Sequence, residues 1–188
     1  TPTSKRLMPF REMGLVLLAA LALFFLLALS SYAPEDPSFN YTGSNTDIAN
    51  LVGVSGAFLA DIMLFLVGWM AYLVPTGLAF GAWRIASSRR QLMPDLQQPM
   101  LLLVGVIGWL AVLISACTLI DLHGPEQTVF PSGNGGVLGT ALAQSGQRAF
   151  GMAGLTVLSG AGVMIGVQAA FGFSWAGFAR RISRASIS

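Results

Sequence analysis

The chain has 188 residues, of which 54% are hydrophobic and 10% are charged, and its formal net charge is +2 at pH 7. A soluble domain usually carries about 25% charged residues, so this chain has too few to cover the surface of a water-soluble globule. The composition therefore excludes a soluble globular protein and predicts one that buries its apolar faces in a lipid bilayer.

Four long segments carry little or no charge, and a helix needs about 20 apolar residues to cross a bilayer. A cleaved signal peptide is the alternative for the first segment, but its apolar core exceeds the usual length of about 7–15 residues. We predict an all-α membrane protein with four transmembrane helices, at residues 13–31, 56–83, 100–120 and 151–174. The remaining segments are basic tails at 1–12 and 175–188 and loops at 32–55, 84–99 and 121–150.

The distribution of Lys and Arg predicts the orientation of these helices. Each tail and the 84–99 loop contains three such residues, whereas the other two loops together contain only Arg148. Positive residues concentrate in cytoplasmic segments of membrane proteins. We therefore expect both termini and the 84–99 loop to be cytoplasmic, and loops 32–55 and 121–150 to be external.

The second external loop contains a mildly apolar element within residues 131–146. It is too short to cross the bilayer, so we predict a short interfacial or re-entrant helix. Glycines allow tight turns and close approach of backbones. The candidate structural or interaction residues of this element are Gly135, Gly136, Leu138 and Gly139.

Asp61 is the only charged residue inside a predicted span, about one turn from the leading end of segment 56–83. Intramembrane carboxylates often mark ion pathways, so one hypothesis is a small multipass transporter or channel that uses Asp61. The other is a structural role, because a helix N-terminus favours a carboxylate and the other predicted spans hold no second ionisable group.

Residues for other chemistries are missing from the sequence. His123 is the single histidine, and it has no Cys or second His nearby to complete a metal site. The single lysine, Lys5, follows Ser4, so no Gly-Lys-Ser/Thr phosphate-binding loop occurs. We predict no catalytic residue, cofactor site or metal site in this segment.

Two kinds of residue are expected to shape the packing of the spans. Pro75 removes a backbone hydrogen bond and is expected to bend the second helix. Small residues four positions apart let helix backbones approach, as at Gly77 and Gly81 in the second span and Gly162 and Gly166 in the fourth. These pairs fit packing within the chain or contact between subunits.

Several short motifs resemble a known family when they are taken in order. They are Ser-Tyr-Ala-Pro-Glu-Asp-Pro-Ser at 31–38, Asn-Leu-Val-Gly at 50–53, Ser-Gly-Ala at 55–57, Leu-Ala-Asp at 59–61, Phe-Leu-Val-Gly at 65–68 and Gly-Gly-Val-Leu-Gly at 135–139. Over about residues 6–184 the chain resembles the N-terminal four-helix membrane domain of the FtsK/SpoIIIE family of bacterial DNA translocases.

The resemblance implies a parent protein at the division septum of the bacterial inner membrane. Its motor, reached through a linker after the C-terminal tail and absent from this chain, would use ATP and Mg²⁺, form homo-oligomers and bind DNA. The membrane domain would anchor the motor in the lipid bilayer, localise it to the septum and contact other division proteins. Chromosome segregation would thereby be coupled to division, without catalysis in this segment.

Overall fold

The computed structural model describes residues 3–39, 48–87, 98–125, 130 and 132–171. All regular structure in these ranges is helical, and four helical stretches are long and apolar enough to cross a membrane, which confirms the predicted fold class. The predicted tail at 175–188 and most of the 84–99 loop lie outside the described residues. The elements are α1 (Thr3–Ser30), α2 (Gly53–Val67), a 3₁₀ helix (Gly68–Tyr72), α3 (Leu73–Ser87), α4 (Gln98–His123) and α5 (Gly136–Phe171).

The second half of α1, from residue 15 to 30, is rich in Leu and Ala, which are strong helix formers. A helix satisfies its own backbone groups, as a segment in lipid must. The hydroxyl groups of Ser30 and Ser31 donate to the carbonyl oxygen of Leu27, at 3.2 and 2.6 Å. These bonds satisfy a terminal carbonyl and mark the end of α1.

The second predicted span is not one bent helix, and the prediction that Pro75 makes the bend is wrong. The chain breaks seven residues earlier, at Gly68, where φ is 57° and ψ is −137°. Pro75 lies in the first turn of α3 instead, where a missing N–H costs little. Segment 56–83 therefore consists of α2, the 3₁₀ helix and most of α3.

Helix α5 reverses direction at Gly151, where φ is 68° and ψ is 170°. We call residues 136–150 the outer arm and residues 151–171 the inner arm. The two arms fold against each other, because Gly146 packs against the side chain of Leu155. The predicted short element of the second external loop thus lies mostly within the outer arm of a helical hairpin.

The helices associate mainly in two pairs, α1 with α3 and α4 with α5. At the end of the helices that is predicted to be cytoplasmic, an aromatic cluster joins the pairs: the Phe171 ring centroid lies 4.6 Å from that of Phe80 and 5.8 Å from that of Trp109. At the opposite end, which is predicted to be external, α2, the 3₁₀ helix and the outer arm join the pairs, and we call these three elements the outer layer. The buried residues there are Ala28, Leu29, Ala60, Leu64, Ala71 and Phe130.

Candidate interaction surface at the outer ends of the helices

The connection between α1 and α2 is bound to the end of α1 by buried polar groups. The Asp36 carboxylate accepts hydrogen bonds from the backbone N–H groups of Ala49 and Asn50, each at 2.9 Å. The Asn50 side chain in turn donates to the carbonyl oxygens of Ala28 at 2.8 Å and Ser31 at 3.3 Å. Because buried polar groups are costly unless paired, these bonds define one arrangement of the chain that enters α2.

Asp61 is buried on α2, with 2% of its surface exposed, and faces the protein. The hydroxyl group of Tyr32, just beyond the end of α1, donates to Asp61 Oδ1 at 3.0 Å. Burial, this hydrogen bond and the negative charge of Asp61 together raise the pKa of Tyr32 from 10.0 to about 12. The geometry gives Asp61 a structural partner that links α2 to the end of α1.

The break at Gly68 forms a junction between the outer arm and the helices beneath it. The backbone N–H of Trp69 donates to the carbonyl oxygen of Asn134 at 3.0 Å. The Asn134 side chain donates to the carbonyl oxygen of Pro125 at 2.7 Å, just after α4. Sequence reasoning missed Asn134, and the one signal for it is a polar residue set between glycines at 133 and 135.

The glycines at the start of the outer arm lie against the backbone of α4. A Cβ atom on Gly135 or Gly139 would overlap the carbonyl oxygen of Cys117. A Cβ atom on Gly136 would overlap the backbone of Leu66 in α2. These three predicted residues therefore lie at two close contacts of backbones, Gly135 and Gly139 with α4 and Gly136 with α2, which only glycine permits.

Some side chains of the outer arm contact the rest of the protein, and others are exposed. The hydroxyl group of Thr140 lies 3.1 Å from Asp121 Oδ1 and 3.0 Å from the carbonyl oxygen of Ser132. Leu138 is half-buried, whereas Val137 beside it is exposed. The outer arm is thus held along α4 and leaves apolar surface for lipid or a partner.

An open groove of about 640 Å³ lies between the end of α4 and the outer arm. Its polar lining includes Asp121, Ser132, Asn134, Thr140 and Gln144. Within the described part of the chain, no three His, Cys, Asp or Glu side chains are grouped to hold a metal ion. The groove thus presents hydrogen-bonding groups and the carboxylate of Asp121.

The small residues of the second span differ in what they contact. The ring of Trp109 on α4 fills the space beside Gly77, so a Cβ atom there would clash. Beside Gly81 the nearest atom is a Leu18 methyl group at 3.9 Å, which leaves room for a side chain. Gly77 therefore allows α3 to pack closely against Trp109 of α4, while Gly81 makes no close backbone contact.

The small residues of the fourth span both face α4. A Cβ atom on Gly162 would overlap Ser115 Oγ, and one on Gly166 would meet the carbonyl oxygen of Gly108 and the side chain of Val112. Both glycines thus allow the inner arm to approach α4 closely, as small residues do in membrane helix pairs.

The four apolar helices and the layer across their outer ends define a multipass membrane domain. Residues 8–183 match the family model described as the 4TM region of DNA translocase FtsK/SpoIIIE. The chain belongs to this family, which confirms the resemblance stated above.

Several proteins named DNA translocase FtsK are similar to the chain. It is 31% identical over 166 residues to the one from Pseudomonas syringae pv. syringae, with 88% of this chain and 20% of that protein covered. It is 33% identical over 179 residues to DNA translocase FtsK 2 of Ralstonia nicotianae, with 91% and 22% covered. The chain thus spans about a fifth of the length of the curated relatives it matches. No solved structure matches the chain.

Proposed function

We propose that this segment anchors a cell-division DNA translocase in the bacterial inner membrane, holds it at the division septum and contacts other division proteins. The observation that carries the proposal is the match of residues 8–183 to the membrane region of FtsK/SpoIIIE translocases. It is supported by relatives named DNA translocase FtsK, of which this chain covers about a fifth.

The work of the proposed parent protein is divided between this segment and the rest of the chain. ATP and Mg²⁺ would bind in a motor outside the segment, and assembly into homo-oligomers and contact with DNA would also occur through that motor. This segment contributes the lipid anchor, since large apolar side chains are exposed along its helices as lipid contact requires. Examples are Leu17 on α1, Leu103 and Ile107 on α4 and Ile165 on the inner arm.

The surface for division partners is the outer arm together with the tip of the α5 hairpin. At the tip, Phe150 and Met152 are exposed on either side of Gly151, and Arg148 is exposed beside them. Aromatic residues, Met and Arg are enriched at protein interfaces. The close contacts of the outer arm with α4 and α2 support this role, because a partner binds a preorganised surface at lower entropic cost.

The test uses the full-length protein fused to a fluorescent reporter, in a strain that lacks its own copy. Removal of residues 8–183 should abolish septal fluorescence. Arg148→Glu combined with Phe150→Ser should keep the protein in the membrane but reduce septal fluorescence and rescue of division. Gln147→Glu, at a neighbouring exposed position, is the matched control and should behave as wild type.

Two results would contradict the proposal in different ways. Septal fluorescence that survives removal of residues 8–183 would refute the localising role of the whole segment. Normal septal fluorescence of the double variant at Arg148 and Phe150 would refute only the assignment of the hairpin tip as the contact surface.

A further inference from the structure

The chain on both sides of α2 contacts the last turn of α1. Before α2, the side chain of Asn50 donates to the carbonyl oxygen of Ala28 at 2.8 Å. After α2, the hydroxyl group of Tyr72 donates to the carbonyl oxygen of Leu29 at 2.9 Å. A continuous helix from residue 50 to 72 would separate its ends by about 33 Å, at about 1.5 Å per residue. Contacts with two adjacent residues of α1 are incompatible with that separation, so the chain folds back.

Along the direction of α4, the C-terminal end of α2 lies at nearly the same height as its N-terminal end. The ring of Trp109 lies against Gly77 of α3, and Cys117 Sγ lies 3.5 Å from the carbonyl oxygen of Val67, the last residue of α2. The chain from Val67 into α3 therefore runs antiparallel to α4. The distance from Trp109 to Cys117 is about 12 Å along α4, and that from Gly77 to Tyr72 is about 8 Å along α3. Val67 thus lies only about 5 Å farther out than Tyr72, whereas α2 itself is about 22 Å long.

These contacts orient α2 across the outer end of α1 instead of along it. One face of α2 is buried against the protein and includes Asp61, its only charged residue. The opposite surface is apolar and open: Leu51 is 73% exposed, Val54 55% and Phe58 43%. Phe39 extends this surface, with its ring centroid 6.2 Å from that of Phe58.

Lipid is the occupant that this surface fits. It adjoins the last turns of α1, where Leu26 and Leu27 are exposed as on the other membrane-crossing helices. Among the described residues of α2, the exposed side chains carry no charge, and the exposed polar one, Ser55, donates its hydroxyl group to the carbonyl oxygen of Val52 at 3.3 Å. Large apolar patches seldom face water.

We propose that α2 lies within the outer leaflet of the bilayer, close to parallel with its plane, with Leu51, Val54 and Phe58 in contact with lipid acyl chains. Residues 68–87 alone then make the second crossing. The 3₁₀ helix and α3 together rise about 32 Å, which is enough for a hydrocarbon core of about 30 Å. This inference rests on helix contacts and does not depend on the septal role proposed above.

The test measures the depth of nitroxide labels in the full-length protein, reconstituted in phosphatidylethanolamine and phosphatidylglycerol vesicles. Depth is read from the relative collision rates with oxygen and a water-soluble nickel complex. Helix α4 is the internal reference for depth, because its exposed positions lie along a helix that crosses the bilayer. Labels are placed one at a time at positions 54, 58 and 66 on α2 and at 103, 107, 110 and 114 on α4, all partly or largely exposed in the wild type.

On α4 the depth should change by about 16 Å between positions 103 and 114, at about 1.5 Å per residue. On α2, positions 54 and 66 should differ by about 5 Å or less, and all three labels should lie within the outer leaflet. A difference of about 18 Å between positions 54 and 66 would show a crossing helix and overturn the proposal. Two other results would overturn the proposal as well. Labels at 54 and 58 that collide mainly with the water-soluble nickel complex would place α2 in water, and labels protected from both reagents would be covered by protein. The pair 54 and 66 decides between these results, and so does the pair 58 and 66, which a crossing helix would separate by about 12 Å.

Discussion

The carbonyl oxygen of Asn134 occupies the space in which a side chain on Gly68 would lie. The same oxygen accepts the backbone N–H of Trp69 at 3.0 Å. At Gly68, φ is 57° and ψ is −137°, a combination that residues with a side chain rarely adopt. The junction between α2 and the segment preceding the outer arm is therefore a direct contact of two backbones.

Gly68→Ala should destabilise the protein far more than Gly53→Ala. Both glycines have positive φ, 57° and 71°, but a Cβ atom on Gly53 would meet no atom within 4 Å. The control should lose about 1 kcal/mol from backbone strain alone, and Gly68→Ala at least about twice that. The free energy of unfolding in mixed micelles measures both. Equal losses would mean that the contact with Asn134 is not maintained.

Gly166→Ala and Gly160→Ala should change stability in opposite directions. A Cβ atom on Gly166 would meet the carbonyl oxygen of Gly108 and the side chain of Val112, whereas one on Gly160 would meet no atom within 4 Å. Alanine is the better helix former by up to about 1 kcal/mol, so Gly160→Ala should be neutral or stabilising. Gly166→Ala should lower the unfolding temperature by several degrees, since overpacking costs about 1–3 kcal/mol. Two stabilising changes would contradict the packing of α4 on the inner arm.

Tyr32 should remain protonated in strongly alkaline solution. Its pKa is raised to about 12 in the folded protein from 10.0, first by burial and then by Asp61. A raised pKa means that the stabilisation is fully present below about pH 10 and is lost as pH rises through about 12. Phenolate absorbance of wild type minus that of Tyr32→Phe should show this one late titration. A difference titration centred near pH 10 would show that Tyr32 is neither buried nor in contact with Asp61.

Asp61→Asn should leave proton and cation flux through the reconstituted protein unchanged. The amide oxygen of asparagine can still accept the Tyr32 hydroxyl group, so the stability loss should be about 1 kcal/mol. Asp61→Leu removes the acceptor and should lose about 1–3 kcal/mol. Flux in liposomes and the free energy of unfolding are the two measurements. A flux present in the wild type and abolished by Asp61→Asn would favour the transporter or channel hypothesis.

Topology reporters should place the α5 hairpin and the connection after α3 on opposite sides of the membrane. The Lys and Arg distribution predicts an external signal for a fusion at Gln147 and a cytoplasmic signal for one at Gln91. An alkaline phosphatase reporter, active outside the cytoplasm, and a green fluorescent reporter, active inside it, give complementary readings at each position. Signals from the same side at both positions would rule out the four-span orientation.

The sequence predicted the helical spans because long uncharged runs leave a chain few other structures in lipid. It placed the bend of the second span wrongly, at Pro75, since proline is the visible helix breaker. The actual break at Gly68 depends on the carbonyl group of Asn134, which is distant in sequence. The role of Asn134 also escaped prediction, because it acts partly through its backbone, which leaves no pattern in residue types.

The aromatic cluster around Phe171 has a mechanical consequence. Phe171 is the last described residue of α5, and its ring contacts Phe80 on α3 and Trp109 on α4. Tension applied to α5 at Phe171 is therefore shared by three helices. Such load sharing resists extraction of α5 alone, because the pull must first separate the aromatic rings that couple the two helix pairs.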